Sequence, residues 1–103
     1  MPRSKPKVGE TDIEAVARMF SQVRGQPAMR QLLDELLTPA ELCDLALRWK
    51  LLKALQAGVP QRTIASELGI SLCKITRGSR ILKQRNSMAR RMLDGARKKE
   101  AKA

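Results

Sequence analysis

The spacing of apolar residues along the chain is that of α-helices, and no segment keeps the two-residue alternation of a strand. A first helix is predicted from Thr11 to Gly25, opened by the capping-box sequence Thr-Asp-Ile-Glu. Its apolar positions are Ile13, Val16, Ala17, Phe20 and Val23. A second helix is predicted over about residues 27–37. The positions that it is expected to bury are Met29, Leu32, Leu33 and Leu36.

A stronger start signal comes at residues 38–41, Thr-Pro-Ala-Glu, where Thr38 caps, Pro39 takes the first helical position and Glu41 reaches back to the cap amide. The long helix that follows is predicted to end at Gly58. Its buried face is expected to consist of Leu42, Leu45, Ala46, Trp49, Leu52 and Leu55. Trp49, the single tryptophan, is expected in the core or at a dimer interface.

Residues 60–83 predict two short helices joined at Gly69, with Ser71 capping the second. The first is expected to bury Ile64, Ala65 and Leu68, and the second Leu72, Ile75 and either Ser79 or Leu82. The spacing of Ala65, Gly69 and Ile75 is that of a helix-turn-helix, whose second helix enters the major groove of DNA. Helix pairs of this form also occur in α-helical domains that bind no nucleic acid, so that alternative stays open.

A last helix, capped by Asn86 or Ser87, is predicted to carry Met88, Met92 and Leu93 and to end at Gly95. The chain is therefore expected to be all-α, with about six helices. Residues 1–10 are predicted to form a disordered basic arm, 11–95 one helical domain for dimerisation and DNA binding, and 96–103 a frayed basic tail.

The charge of the chain favours an anionic polymer as partner. The 103 residues carry a formal net charge of +11 without any histidine, and the acids gather in the first half while the basic residues gather in and after the helix-turn-helix. Because only 2% of residues are aromatic, the core of a monomer would be thin, which favours a homodimer. The two cysteines show no CxxC spacing and favour a reducing cytoplasm over a zinc site or disulfide framework. No apolar run long enough for a membrane helix or a signal peptide is present.

Two groups of motifs carry a family resemblance. One is Leu37-Thr38-Pro39-Ala40-Glu41 leading to Arg48; the other comprises Gln61-Arg62, Leu68-Gly69, Ile75-Thr76-Arg77-Gly78-Ser79 and Leu82-Lys83. With these residues the chain resembles the bacterial Trp repressor family, well over about residues 32–84 and in outline at the first and last helices. The resemblance implies an intertwined, all-helical homodimer with two DNA-reading heads, no cofactor, and L-tryptophan as corepressor between the core and each head.

The resemblance also implies the corepressor site. Arg48 and Arg77 would flank the indole ring, Arg77 and Thr38 would meet the carboxylate, and Gly78 would allow close approach of the ligand. Carbonyl groups near Glu35 and Leu37 would accept from the ligand ammonium. Three residues depart from the family pattern: Ile81 replaces a serine that helps to hold the amino group, Lys74 a threonine, and Glu35 an apolar residue. In the alternative interpretation Arg48 is an exposed helix residue, Arg77 a phosphate contact and Thr38 only a cap.

The predicted DNA-binding residues lie on both motif helices. Arg62 can reach a guanine edge. Four residues are expected to line the front of the second helix: Leu72, Cys73, Lys74 and Thr76. Three others, Gln61, Arg80 and Lys83, are better placed for phosphates, which fix register without specifying a base.

The sequence therefore predicts a transcriptional repressor that binds operator DNA, responds to L-tryptophan and acts on tryptophan biosynthesis or transport genes. A ligand-independent DNA-binding regulator or a nucleoid-associated protein is the alternative, motivated by Ile81 and Lys74. An enzyme is the least favoured class, because the chain has no histidine or tyrosine and no nucleophile with an evident base beside it.

Overall fold

The computed structural model describes the backbone of residues 7–102 and the side chains of residues 7–96. It contains six helices and, within that range, no strand, which confirms the all-α prediction. The helices are α1 Glu10–Gln22, α2 Gln26–Leu36, α3 Pro39–Gln56, α4 Gln61–Leu68, α5 Leu72–Lys83 and α6 Met88–Lys102. Of the predicted N-terminal arm, residues 1–6 lie outside the described range, residues 7–9 are not helical, and Glu10 already belongs to α1.

The chain divides into two compact units, with the boundary between Leu42 and Cys43. The first unit holds α1, α2 and the first turn of α3. None of the residues of α1 and α2 is buried, and Ile13, Val16 and Leu36 are 54%, 48% and 51% exposed. The prediction that Leu36 is buried is therefore wrong for the single chain, whereas Met29, Leu32 and Leu33 are half-buried.

The predicted capping box at residues 11–14 is wrong. The helix begins one residue earlier, at Glu10, with Gly9 as N-cap, and the carboxylate of Asp12 accepts a 3.0 Å hydrogen bond from the Gly9 N–H. An acid three residues after the cap is what the motif requires, and Asp12 supplies it for Gly9. Thr11 consequently lies inside the helix.

Both ends of α3 are confirmed. The Thr38 hydroxyl accepts from the Glu41 N–H at 3.1 Å, and Glu41 Oε1 accepts from the Thr38 N–H at 2.9 Å, so the capping box is complete. At the other end Gly58 has φ +84°, and the Val59 N–H donates to the Ala54 carbonyl while the Gly58 N–H donates to that of Leu55. This is the Schellman arrangement that stops a helix at a glycine.

The main core cluster of the second unit consists of Leu51, Ile64 and Ile75, which are 5%, 1% and 0% exposed, and Leu82 and Leu93 are buried as well. Burial of a side chain of this size contributes about 1.5–3 kcal/mol. Partly buried apolar residues surround this core: Ala54, Leu55, Val59, Ala65, Leu68 and Ile70.

The predicted face of α3 is wrong in part. Leu42, Leu52 and Leu55 are half-buried, but Leu45, Ala46 and Trp49 are exposed in the single chain. The core residue Leu51, one turn before Leu55, is not among the predicted positions. The reason is that α3 carries apolar side chains around its whole circumference, so that periodicity alone does not select one face.

Helix α6 is longer than predicted. Its backbone continues past Gly95 to Lys102, because the residues after the glycine are mostly Ala, Lys, Arg and Glu, which favour helices. The expected frayed tail at 96–103 is thus helical as far as Lys102, while the side chains of 97–103 and the conformation of Ala103 lie outside the described range. The Ser87 hydroxyl caps the start, and Leu93 is buried, but Met88 and Met92 are exposed.

No described helix is long and apolar enough to cross a lipid bilayer.

Candidate nucleic-acid interface and ligand pocket

The joint between α4 and α5 is built as a helix-turn-helix requires. Gly69 follows α4 in the left-handed conformation, with φ 63° and ψ 37°, which a glycine adopts without the steric cost that a β-carbon brings. The Ser71 hydroxyl accepts from the Lys74 N–H at 3.4 Å and so caps α5. Ile64 and Ile75 are buried and Ala65 packs against them, which fixes the two helices together. The structure thus confirms three sequence predictions: the turn at Gly69, the cap at Ser71, and the burial of Ile64 and Ile75.

The front of α5 faces solvent. Leu72 is 56% exposed, and Cys73, Lys74 and Thr76 are exposed as well, so the expectation that Leu72 belongs to the buried stripe is wrong. The Thr76 hydroxyl donates to the Leu72 carbonyl at 2.9 Å, which leaves its oxygen free to accept from a partner. The buried residues of α5 are Ile75, Gly78 and Leu82, on the other side of the helix.

The remaining predicted DNA contacts are also on the surface. Gln61 and Arg62 form the first turn of α4, and Arg80 and Lys83 lie in the last turn of α5. Helix α5 contains two lysines, two arginines and no acid. Among the side chains of residues 7–96, one ion pair within 4 Å is found, that of Arg30 with Asp34. The cations of α5 therefore form no ion pair with a described carboxylate. The structure thus brings all eight predicted residues onto the exposed surface of one helix pair.

The C-terminal end of α5 is held by the start of α6. The guanidinium group of Arg90 donates to the carbonyl of Leu82 at 3.2 Å and to that of Arg85 at 2.9 Å. Ser87, the cap of α6, is 4% exposed, and Gln56 of α3 donates to the carboxylate of Asp94. Nothing in the sequence pattern indicated the role of Arg90, since its charge is indistinguishable from those of its basic neighbours.

A cavity of about 460 Å³ lies in the second unit. The wall from α3 consists of Asp44, Leu47, Arg48, Leu51 and Leu52, and the wall from α5 of Lys74, Arg77, Gly78 and Ile81, with Ile70 beside them. The cavity therefore has an apolar surface and a small number of charged groups, as ligand sites commonly have.

Four of the six predicted corepressor residues line this cavity: Arg48, Arg77, Gly78 and Ile81. Lys74, predicted as a DNA contact, lines it as well. Leu37 and Thr38 belong to the first unit, where Leu37 is half-buried and Thr38 is exposed. The hydrogen bond that the Thr38 N–H donates to the Glu41 carboxylate, together with the adjacent Thr38 hydroxyl, lowers the pKa of the Glu41 carboxyl below its ordinary value.

Sequence reasoning missed the apolar lining and Asp44. The signal was present, because the α3 wall occupies positions three, four, seven and eight after Asp44, the repeat of one helical face. Both Asp44 and the leucine lining lie within about one helical turn of Arg48 on the same face of α3, so they could have been identified from the position of Arg48.

Gly78 is buried against α3. A β-carbon placed on it would lie 3.1 Å from Leu55 Cδ1, 3.3 Å from Leu51 Cδ2 and 3.4 Å from Leu52 Cδ2. The glycine thus allows close contact between two helices, in addition to lining the cavity.

A capped cationic helix that follows a left-handed glycine and exposes its front on an all-α scaffold defines the class of helix-turn-helix proteins. The model of the family described as Trp repressor protein matches residues 11–97. Proteins named Trp operon repressor homolog from Chlamydia trachomatis serovars D, A and L2 are each 33% identical over 75 residues, which are 72% of this chain and 80% of theirs. No solved structure matches the chain. The chain belongs to the Trp repressor family and is a transcription regulator of that type.

Proposed function

We propose that the protein is a homodimeric repressor that binds operator DNA through α5 and does so more tightly when L-tryptophan occupies the cavity. The observation that carries the proposal is the exposure of Leu72, Lys74 and Thr76 on a capped cationic helix whose opposite side is fixed by the fully buried Ile75. A helix held in this way presents the same side chains to each duplex that it meets, which sequence recognition requires.

Base recognition is assigned to Arg62 and to the front of α5. A bidentate contact of an arginine with guanine discriminates against other bases by about 1–3 kcal/mol. Leu72 and Cys73 suit a thymine methyl group, while Thr76 and Lys74 offer polar contacts. The surface residues Gln61, Arg80 and Lys83 are assigned to phosphates. The Trp repressor is itself one of the known examples of this docking geometry, in which half-sites lie about 34 Å apart.

The effector is proposed to be L-tryptophan. Support comes from Arg48 and Arg77, which line one cavity whose other walls are largely apolar. A guanidinium group stacks on an aromatic ring and pairs with a carboxylate in a planar fork, so two arginines suit an indole-bearing acid. The roles of Leu37 and Thr38 stay predictions from the family resemblance. The target genes are proposed to be those of tryptophan synthesis or transport, regulated in the cytoplasm.

The homodimer is proposed because much apolar surface is uncovered in the single chain. Ile13 and Val16 of α1, Leu36 of α2, and Leu45 and Trp49 of α3 are between 38% and 54% exposed. Apolar helix faces of this kind are stabilised when a second copy covers them.

Fluorescence anisotropy tests the proposal on a DNA duplex that the protein selects from a random-sequence pool. We expect tighter binding with L-tryptophan than without it. Arg62→Ala should weaken binding to the selected duplex by about 1–3 kcal/mol, whereas Arg18→Ala, which removes an exposed arginine from α1, should not. Affinity that is equal with and without tryptophan would favour the ligand-independent regulator. A steep salt dependence without sequence preference would instead favour a nucleoid-associated protein.

A further inference from the structure

The cavity carries charges of both signs. Its cations are Arg48, Lys74 and Arg77, and its one carboxylate belongs to Asp44, which lies a single turn before Arg48 on α3. A site for a simple anion would need the cations alone. An acid among them indicates a ligand that also bears a positive group.

Asp44 is the one side-chain acceptor among the residues that line the cavity. The other lining side chains are cations, which only donate, or are apolar, and Gly78 has none. Ile81 in particular offers no hydrogen bond. A cationic group of a ligand in this cavity therefore has Asp44 as its single charged side-chain partner within the described part of the chain.

Within the described part of the chain, the carboxylate of Asp44 has no ion-pair partner. The ion pair found between described side chains is Arg30 with Asp34, so Asp44 is not within 4 Å of a charged nitrogen of Arg48, Lys74 or Arg77. Without the Asp44 carboxylate, the ammonium group of a ligand would be repelled by those three cations.

We propose that Asp44 binds the ammonium group of a zwitterionic α-amino acid and thereby excludes acids of the same shape that lack the amine. The arginines take the carboxylate, and the lining from Leu47, Leu51 and Ile81 covers the apolar side chain. This inference rests on the proposed function, in that the cavity holds an amino-acid effector, and it adds the residue that distinguishes the amino acid from its deaminated analogue.

Calorimetry on the full chain tests the assignment with three ligands. L-Tryptophan has both charged groups, indole-3-propionate lacks the ammonium and tryptamine lacks the carboxylate. In the wild type we expect L-tryptophan to bind at least about fivefold more tightly than indole-3-propionate, since charge-assisted hydrogen bonds contribute more than neutral ones. In Asp44→Asn that preference should fall to about twofold or less, because the charge on the acceptor is lost. Tryptamine should weaken in parallel with L-tryptophan.

Glu67→Gln is the matched control, because it removes one exposed carboxylate from α4, outside the cavity lining. It should leave the ligand preference unchanged. Asp44→Ser is a second variant that removes the carboxylate. An unaltered helical circular dichroism spectrum shows that each variant is folded. If the wild type prefers L-tryptophan and Asp44→Asn keeps that preference in full, the role of Asp44 is overturned while the effector proposal stands. If the wild type binds none of the three ligands, both are overturned.

Discussion

Gly78 shows how one residue serves packing and ligand binding together. It lines the cavity, and it is also the position where α5 passes close to three leucine side chains of α3. The family resemblance predicted that Gly78 allows a close approach of the ligand. The structure adds a second close approach, that of a neighbouring helix, which the sequence could not reveal because the partner side chains are more than twenty residues away.

A β-carbon at Gly78 should destabilise the protein. It would meet three leucine methyl groups at 3.1–3.4 Å, and Leu51, one of the three, is 5% exposed and has little room to move. Gly95, on α6, is the matched control, because a β-carbon added there would have no atom within 4 Å outside its own helix backbone. We expect the unfolding free energy of Gly78→Ala to be about 1–2 kcal/mol lower than that of Gly95→Ala, in which the gain in helix propensity is not opposed by overpacking. Urea denaturation measures both, and equal stability of the two variants would show that the leucines yield freely.

At the scale of helices, start and stop signals were predicted better than buried faces. The caps at Thr38, Ser71 and Ser87 and the glycine stops at Gly58 and Gly69 depend on local backbone chemistry, which a short sequence window contains. The buried face of α3 depends instead on which elements pack against it. Since α3 is apolar on all sides, the sequence did not distinguish Leu51 from Leu45 or Trp49.

The packing of α6 against the end of α5 should depend on the hydrogen bonds of Arg90. Arg90→Met keeps the aliphatic stem but leaves the carbonyls of Leu82 and Arg85 without their donor. We expect a loss of about 1–3 kcal/mol in unfolding free energy, together with faster amide hydrogen exchange at the end of α5. Arg91→Met is the matched control, since the exposed Arg91 contacts Met88 Sδ at 4.0 Å and no carbonyl. Equal protection of α5 in both variants would contradict the assignment.

At the scale of the whole molecule, the exposed apolar residues are the feature that the single chain does not explain. The sequence predicted a thin core for a monomer, and the core of the second unit is indeed limited to a few residues around Leu51, Ile64 and Ile75. The exposure of Cys73, Lys74 and Thr76 on α5 could be predicted because a helix-turn-helix has a fixed spacing. The cavity could be predicted only through Arg48 and Arg77, because its apolar lining resembles any helical core.

The proposed homodimer can be tested on α3. The wild type should have a molar mass by light scattering of twice the 11.5 kDa of one chain. Leu45→Glu places a charge on the exposed apolar face beside Trp49 and should shift the mass towards that of one chain, with a red shift of the Trp49 emission as water reaches the indole. Val8→Glu adds the same charge at an exposed apolar position before α1 and should leave the mass unchanged. A dimeric Leu45→Glu variant would show that this face lies outside the interface.

The close contact at Gly78 determines how far the first residue of α5 moves when the direction of that helix changes. Gly78 lies close to α3 and is six residues from Leu72, which is about 9 Å along a helix. A rotation of α5 by about 10° around Gly78 would move Leu72 by about 1.5 Å. In the proposed function, a ligand in the cavity, whose α5 wall extends to either side of Gly78, would change the angle at which α5 meets the DNA.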